Sequence, residues 1–255
     1  MKKTYLLPGL LIPPPSERPE HEAALARELS QLGVQPGTVE LLAWHAENPR
    51  KVAAVLASVG GIGGVASGRG GLVAAGLTLA GAGTGLGVAY SAVRSRITAA
   101  SEELARRLTA AVDEGVECTL VAHSTGTEVV LSALDYMASW QRRLAGRVYL
   151  LGGTAEFNRD YSRATSVVDA GVFNIWNPLD GWLLLENLLR WTSTIGRRGM
   201  TGSGVTSVQT DLGHREQLVS LARAARGFSV RHARPWLPAA PALPIYAAWP
   251  LPLSR

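Results

Sequence analysis

Apolar and polar positions along this chain change period several times, and each change marks an element. Val116 to Ala122 is apolar or β-branched at nearly every position, as a parallel strand covered on both faces is. From Thr127 to Met137 the period lengthens to that of a helix, with Val130, Leu131 and Leu134 on one face. Short apolar runs at Thr4–Leu7, Val39–Trp44, Arg147–Leu151, Val172–Trp176 and Val205–Gln209 predict further strands. Between them, Ser16–Leu32, Ser101–Glu114, Tyr161–Val168, Gly181–Arg190 and Glu216–Ala225 predict helices. Gly33 and Gly115 supply two of the stops, and Ser101 with Leu104 three on makes an imperfect capping box. Strands alternating with helices imply an α/β fold, a mostly parallel sheet with helices on both faces, over residues 1–234.

One stretch breaks the alternation. Residues 52–90 hold 12 of the 28 glycines and one charge, Arg69. Ser67 to Gly71 divides the stretch into two apolar arms. Gly60, Gly64 and Gly68 recur four apart, and so do the pairs Gly81 with Gly85 and Gly83 with Gly87. That spacing cuts a smooth groove along a helix and permits close helix–helix contact. In water each such glycine costs a helix about 1 kcal/mol against alanine, whereas a membrane tolerates it better. Each arm is marginal for a span of about 20 residues. Two readings follow: a glycine-rich helical hairpin inserted in a membrane, or a helical pair that caps a pocket as a lid. A nucleotide loop is excluded, since Gly81 to Gly87 carries Leu86 where a dinucleotide fingerprint needs glycine, and no Walker lysine is present. Residues 235–255 form a Pro-rich tail with Trp236, Tyr246 and Trp249, read as a strap across the body or as aromatics for a lipid interface.

Composition changes the picture little. The chain of 255 residues is 47% hydrophobic, with a mean hydropathy of +0.11, to which residues 52–90 contribute heavily. Net charge is +5, nearly all of the cations being arginines, since lysine occurs only as Lys2, Lys3 and Lys51. A basic surface suits anionic lipid or nucleic acid. No basic run interleaved with aromatics occurs, so no nucleic-acid partner is expected. The single cysteine, Cys118, rules out an internal disulfide and a cysteine-based metal cluster. No cofactor or metal is expected. The N-terminal run to Ile12 has the outline of a signal peptide. It is short, though, broken by Pro8-Gly9 and followed by Pro13–Pro15 without a cleavage site, and it reads better as the first core strand. The expected compartment is the bacterial cytoplasm, with membrane association through residues 52–90; the sequence does not exclude secretion, and it carries no signal for oligomeric state.

Chemistry concentrates where the strand Val116–Ala122 meets its helix, at Ala122-His123-Ser124-Thr125-Gly126. This is the small-x-Ser-x-small spacing of a nucleophile elbow, with Ala122 in the place of a first glycine. A serine on such a turn sits in strained backbone with its hydroxyl above the sheet, and small residues on either side let strand and helix approach. The Thr125 amide would face the developing oxyanion, helped by the helix N-terminus. A second amide, that of Leu10, would come from the loop Pro8 to Leu11 after the first strand. An ordinary βα turn with a capping serine has the same letters.

An acid and a histidine stand past later strand ends: Asp180 after Val172–Trp176 and His214 after Val205–Gln209. The order Ser124, Asp180, His214 is that of an α/β-hydrolase triad, with His214 as general base and acid and Asp180 holding its tautomer. Rival acids are Asp160, Asp169 and Asp211. Rival histidines are His21, His45, His123 and His232, of which His123 reads as a packing residue. His45 and Glu47, at a strand end, are further candidates to line a site.

Four segments, VELLAWHAEN, VECTLVAHSTGTEVVLSALDYM, RVYLLGGTAEFNRDYSRATSVVDAGVFNIWNPLDGWLLLENLLR and VTSVQTDLGHREQL, together resemble a known family. They are similar to the α/β hydrolases of the transmembrane-and-coiled-coil-domain type, membrane-associated serine hydrolases. The longest segment is the most specific, through Leu151-Gly152, Val167-Val168 and Asp180-Gly181-Trp182-Leu183; Gly213-His214 matches the family's late glycine–histidine. The resemblance implies Ser124, Asp180 and His214 as triad and Leu10 with Thr125 as oxyanion donors. The chain departs from the family at Ala122 for glycine, at Thr125 for leucine, in a loop reduced to Gly9-Leu10-Leu11, and in lacking a long coiled-coil N-terminus, which makes it a minimal version.

The function expected is therefore hydrolysis of a carboxylic ester, of a lipid or another hydrophobic acyl substrate, through an acyl-enzyme on Ser124. Esterase, lipase, phospholipase and thioesterase all fit. The alternative is a membrane-inserting or pore-forming protein that uses residues 52–90 on a catalytically silent hydrolase scaffold.

Overall fold

The computed structural model describes residues 1–9, 15–44, 95–190 and 192–227. Six parallel strands run through them: β1 (Lys2–Leu7), β2 (Thr38–Leu41), β3 (Glu117–His123), β4 (Val148–Leu151), β5 (Val172–Trp176) and β6 (Val205–Gln209), in the spatial order β2-β1-β3-β4-β5-β6. The helices are α1 (Arg18–Gln31), α2 (residues 95–113), α3 (Gly126–Ser139), α4 (Ser162–Ser166), α5 (Gly181–Arg190), α6 (Ile195–Arg198), α7 (Glu216–Val219) and α8 (Leu221–Arg226).

Successive side chains on a strand point to opposite faces, and here both faces are apolar. Tyr5, Leu7, Cys118, Leu120, Ala122, Val148 and Leu150 pack against Leu104 and Leu108 of α2 and Val130, Leu134 and Met137 of α3. Leu6, Val121, Tyr149, Leu151 and Ile175 face the other way, onto Leu25 and Leu29 of α1 and Leu221 and Ala224 of α8. Continuous apolar strands therefore mark a sheet covered on both sides. The Ala222 amide donates to Glu28 across 2.9 Å, joining the last described helix to the first.

The chain turns back at β1. It steps from β1 outward to β2, then crosses to β3 on the other side of β1 and continues outward from there. The helices that follow β1 and β3 lie on opposite faces, so the carboxyl ends of these two strands mark the switch point where open α/β sheets usually take a ligand. Pro8-Gly9 and Ser124 stand there.

Several boundaries differ from the sequence expectation. The helix expected at Ser101 already runs at residue 95, and Ser101 is fully buried inside it, donating to the Ile97 carbonyl at 2.6 Å rather than capping anything. The helix expected over Tyr161–Val168 is only the short α4, because Val168 instead bridges to Leu144. The final helix is two pieces, broken at Ser220, whose φ of −130° and ψ of 46° are not helical. β2 stops at Leu41, although the Leu42 amide still bonds the Leu6 carbonyl at 2.9 Å. No helix among the described residues is long and apolar enough to cross a membrane. The glycine-rich hairpin expected over residues 52–90 and the tail 235–255 lie outside the described residues.

Candidate active site

Ser124 directly follows β3 and takes φ of 54°, one of two positive values among described residues other than glycine. A side chain there crowds its own carbonyl, so the conformation persists only where the surroundings hold it. They do. The Ser124 amide donates to the Leu151 carbonyl at 2.9 Å, and the Ser124 carbonyl accepts the Thr127 amide at 3.0 Å, the Thr127 hydroxyl at 2.7 Å and the Thr154 amide at 3.4 Å. The main chain is clamped while the hydroxyl makes no hydrogen bond among the described residues.

Two glycines explain how the turn fits. A Cβ at Gly126 would lie 2.3 Å from the Leu7 carbonyl oxygen and 3.0 Å from that of Pro8, so the first turn of α3 passes against the end of β1 only without a side chain. A Cβ at Gly9 would lie 2.6 Å from Ser124 Cβ and 3.1 Å from its Oγ. The loop after β1 thus runs directly over the serine, and the Trp44 indole donates to the Pro8 carbonyl at 2.8 Å. Leu10, the expected second oxyanion donor, lies outside the described residues. Thr125 is buried at the head of α3; its amide has no acceptor among the described residues, and its hydroxyl is buried without a partner.

Asp180 and His214 come together as the sequence order suggested. His214 Nδ1 lies 2.8 Å from Asp180 Oδ2, the carboxylate side chain fully buried and the imidazole 10% exposed. The other carboxylate oxygen accepts the amides of Trp182 and Leu183, both at 3.1 Å, which seats Asp180 as the cap of α5 and stops it from rotating. Because Oδ2 accepts, Nδ1 carries a proton, and in the neutral imidazole the lone pair is on Nε2. Neither Ser124 Oγ nor His214 Nε2 has a hydrogen-bond partner among the described residues, so the serine is not hydrogen-bonded to the histidine.

The loop that carries His214 is held from several sides. Asn177 donates from Nδ2 to the Leu212 carbonyl at 3.0 Å and accepts the Leu179 amide at 2.8 Å, tying the acid turn to the histidine loop. The Gly213 amide donates to Glu216 at 2.9 Å. Gly152, at φ of +50°, lets the chain pass under the pair, since a Cβ there would lie 2.9 Å from His214 Nδ1. His123 donates from Nε2 to the His214 carbonyl at 2.8 Å. Burial and the nearby His214 push His123 down to about 3, so it is neutral. His123 packs, as the sequence reading has it, and also bonds the His214 carbonyl; Asn177 carried no sequence signal beyond its position at a strand end, while Gly9 and Gly152 entered only as letters of the loop after the first strand and of the matched segment.

The rivals are engaged elsewhere. Asp160 accepts the Ser162 amide at 2.8 Å, Asp169 pairs with Arg143 at 2.6 Å, and Asp211 pairs with Arg223 at 3.4 Å; all three are exposed and none meets a histidine. His21 lies on α1, while His45, Glu47 and His232 fall outside the described residues. A cleft of about 530 Å³ on the outer side of α3, lined by Ser132, Asp135, Arg159 and Asp160 among others, includes no member of the serine–acid–histidine set. Among the described residues no group of three or more His, Cys, Asp or Glu could hold a metal ion. Comparison with family models, with curated proteins and with solved structures finds no match to this chain.

Proposed function

We propose that the protein is a serine hydrolase that cleaves carboxylic esters of hydrophobic acyl substrates, lipids among them, through an acyl-enzyme on Ser124. The observation that carries this reading is the buried Asp180–His214 pair at 2.8 Å, standing at the same end of the sheet as a serine held at φ of 54°. The strand order supports it: nucleophile after β3, acid after β5 and base after β6, with the switch point of the sheet between β1 and β3. In this reading the chain is an α/β hydrolase similar to the transmembrane-and-coiled-coil-domain type, and residues 52–90 bring it to a membrane where its esters lie.

Ser124 Oγ attacks the ester carbonyl while His214 Nε2 takes the hydroxyl proton. Asp180 Oδ2, already accepting from Nδ1, stabilises the imidazolium that forms. The carbonyl oxygen becomes an oxyanion facing the Thr125 amide and the head of α3; the second donor expected from the sequence, the Leu10 amide, lies outside the described residues. Collapse of the tetrahedral intermediate breaks the bond to the alcohol, which leaves with the proton from Nε2. Water then repeats the sequence on the acyl-enzyme and releases the acid.

A fluorophosphonate probe read by intact mass tests this. One adduct is expected on the wild type and none on Ser124→Ala or His214→Ala. Folded wild-type protein that takes no adduct and turns over no p-nitrophenyl ester, with detergent or without, would end the proposal.

A further inference from the structure

The buried histidine beside the nucleophile does more than fill space. His123 is the last residue of β3 and is covalently next to Ser124. Its Nε2 lies 2.8 Å from the main-chain oxygen of His214, an atom that can only accept, so Nε2 carries the proton. Its ring also packs against the His214 ring, centroids 4.6 Å apart and planes tilted by 48°. His123 therefore touches the proposed base twice, at its backbone and at its imidazole. Residues 210–214 have no regular structure of their own between β6 and α7. Their other main-chain anchors, Trp176 to Thr210, Asn177 and Gln217 to Leu212, and Glu216 and Gln217 to Gly213, act on residues before His214, whose side chain Asp180 holds. The His123 bond is made at the His214 residue itself, and from the strand that bears the serine.

We infer that His123 is a positioning residue: it ties the main chain of His214 to the nucleophile strand and so sets the distance between base and nucleophile. The inference rests on the reading of Ser124 and His214 as a catalytic pair. Its physical basis is that a base misplaced by about 1 Å can lose on the order of 100-fold in rate while substrate contacts stay intact. A phenyl or alkyl side chain would fill the same space and still release the loop.

The test compares His123→Gln, whose amide can donate from nearly the same point, with His123→Leu, which cannot. Both remove the ring, so a purely structural role affects both alike. Two quantities are read: kcat and KM on a p-nitrophenyl ester, and hydrogen–deuterium exchange of residues 210–216. His123→Leu is expected to lose roughly 30-fold in kcat with KM within about twofold, with faster exchange in 210–216. His123→Gln is expected to recover most of both losses. Equal kcat in the two variants, or exchange in 210–216 unchanged by His123→Leu, would overturn the tie. If the wild type is inert toward both ester and fluorophosphonate, the hydrolase reading fails on that result alone, and the exchange comparison still decides whether His123 holds the loop.

Discussion

Gly152→Ala is the sharpest perturbation of the site, because its two effects can be separated by a control elsewhere in the chain. Gly152 has φ of +50° and Gly115 has φ of +70°. Alanine in this left-handed region costs about 1–2 kcal/mol at either position. At Gly115 the added Cβ meets nothing within 4 Å. At Gly152 it would lie 2.9 Å from His214 Nδ1, where ordinary contact begins near 3.4 Å, so the ring must retreat by about 0.5 Å. Asp180 Oδ2 is 3.6 Å from the new atom and is not pressed. The imidazole moves and the acid stays; the push runs across the 2.8 Å bond rather than along it, so the bond lengthens only to about 2.9 Å while the ring is displaced by about 0.5 Å. Both variants should lose about 1–2 kcal/mol by urea unfolding, a fall in Tm of roughly 2–4 °C per kcal/mol. Only Gly152→Ala should lose ester turnover, on the order of 10-fold for a ring displaced by about half an ångström. A Gly152→Ala protein with kcat within threefold of wild type, or a Gly115→Ala protein that loses activity equally, would refute the reasoning.

Asp180→Asn keeps the shape of the cap but offers Nδ1 a donor in place of an acceptor in one orientation; kcat should fall on the order of 10³–10⁴-fold, and a fall below tenfold would remove Asp180 from the mechanism. Ser124→Gly should be more stable than Ser124→Ala by up to about 1 kcal/mol, since alanine retains the Cβ that makes φ of 54° unfavourable; equal urea midpoints would mean that the turn stores no strain. His123, pushed down by burial to about 3 from an ordinary 6.5, is protonated in the unfolded chain before it is in the folded one. Its contribution to stability is therefore complete above pH 6.5 and lost as the pH falls toward 3, at up to about 1.4 kcal/mol per pH unit. Urea unfolding at pH 7 and pH 5 should show a steeper loss for wild type than for His123→Gln, and parallel losses would count against a buried neutral ring. Cys118 is fully buried in β3, and burial pushes its thiol up to about 11. Iodoacetamide at pH 8 should leave the folded protein unlabelled and add one group after urea; labelling of the folded protein would mean that β3 is accessible.

The elements whose apolar pattern is repeated over several residues were legible in the sequence. β1, β3, β4 and β5 stand close to their expected runs because each is covered on both faces, and burial on two sides leaves few polar positions to confuse the period; β6 also lies on its expected run, although this edge strand has no buried residue. Ser101 misled because a serine before an apolar run reads as a cap. Only tertiary packing makes it an interior residue that bonds back to Ile97. The site was legible as an order along the chain, Ser124, Asp180, His214, but order alone does not say which acid meets which histidine. Asp211 is three residues from His214 in sequence and pairs with Arg223, whereas Asp180 is 34 residues away and makes the bond.

By itself, the sequence determined the alternation of strand and helix, the small residues that frame Ser124, and the polar residues that follow three strand ends. These are local properties, set by side-chain period and by the backbone freedom of single residues. Only the tertiary structure decided that β1 lies between β2 and β3, which puts Ser124 at the switch point of the sheet. It also decided that Gly9, Gly126 and Gly152 are bare because the Ser124 side chain, the end of β1 and the His214 ring occupy the space a side chain would need. And it decided that His123 bonds the backbone of a residue 91 positions later. Each of these depends on which distant segments share a volume, and no local pattern carries that information.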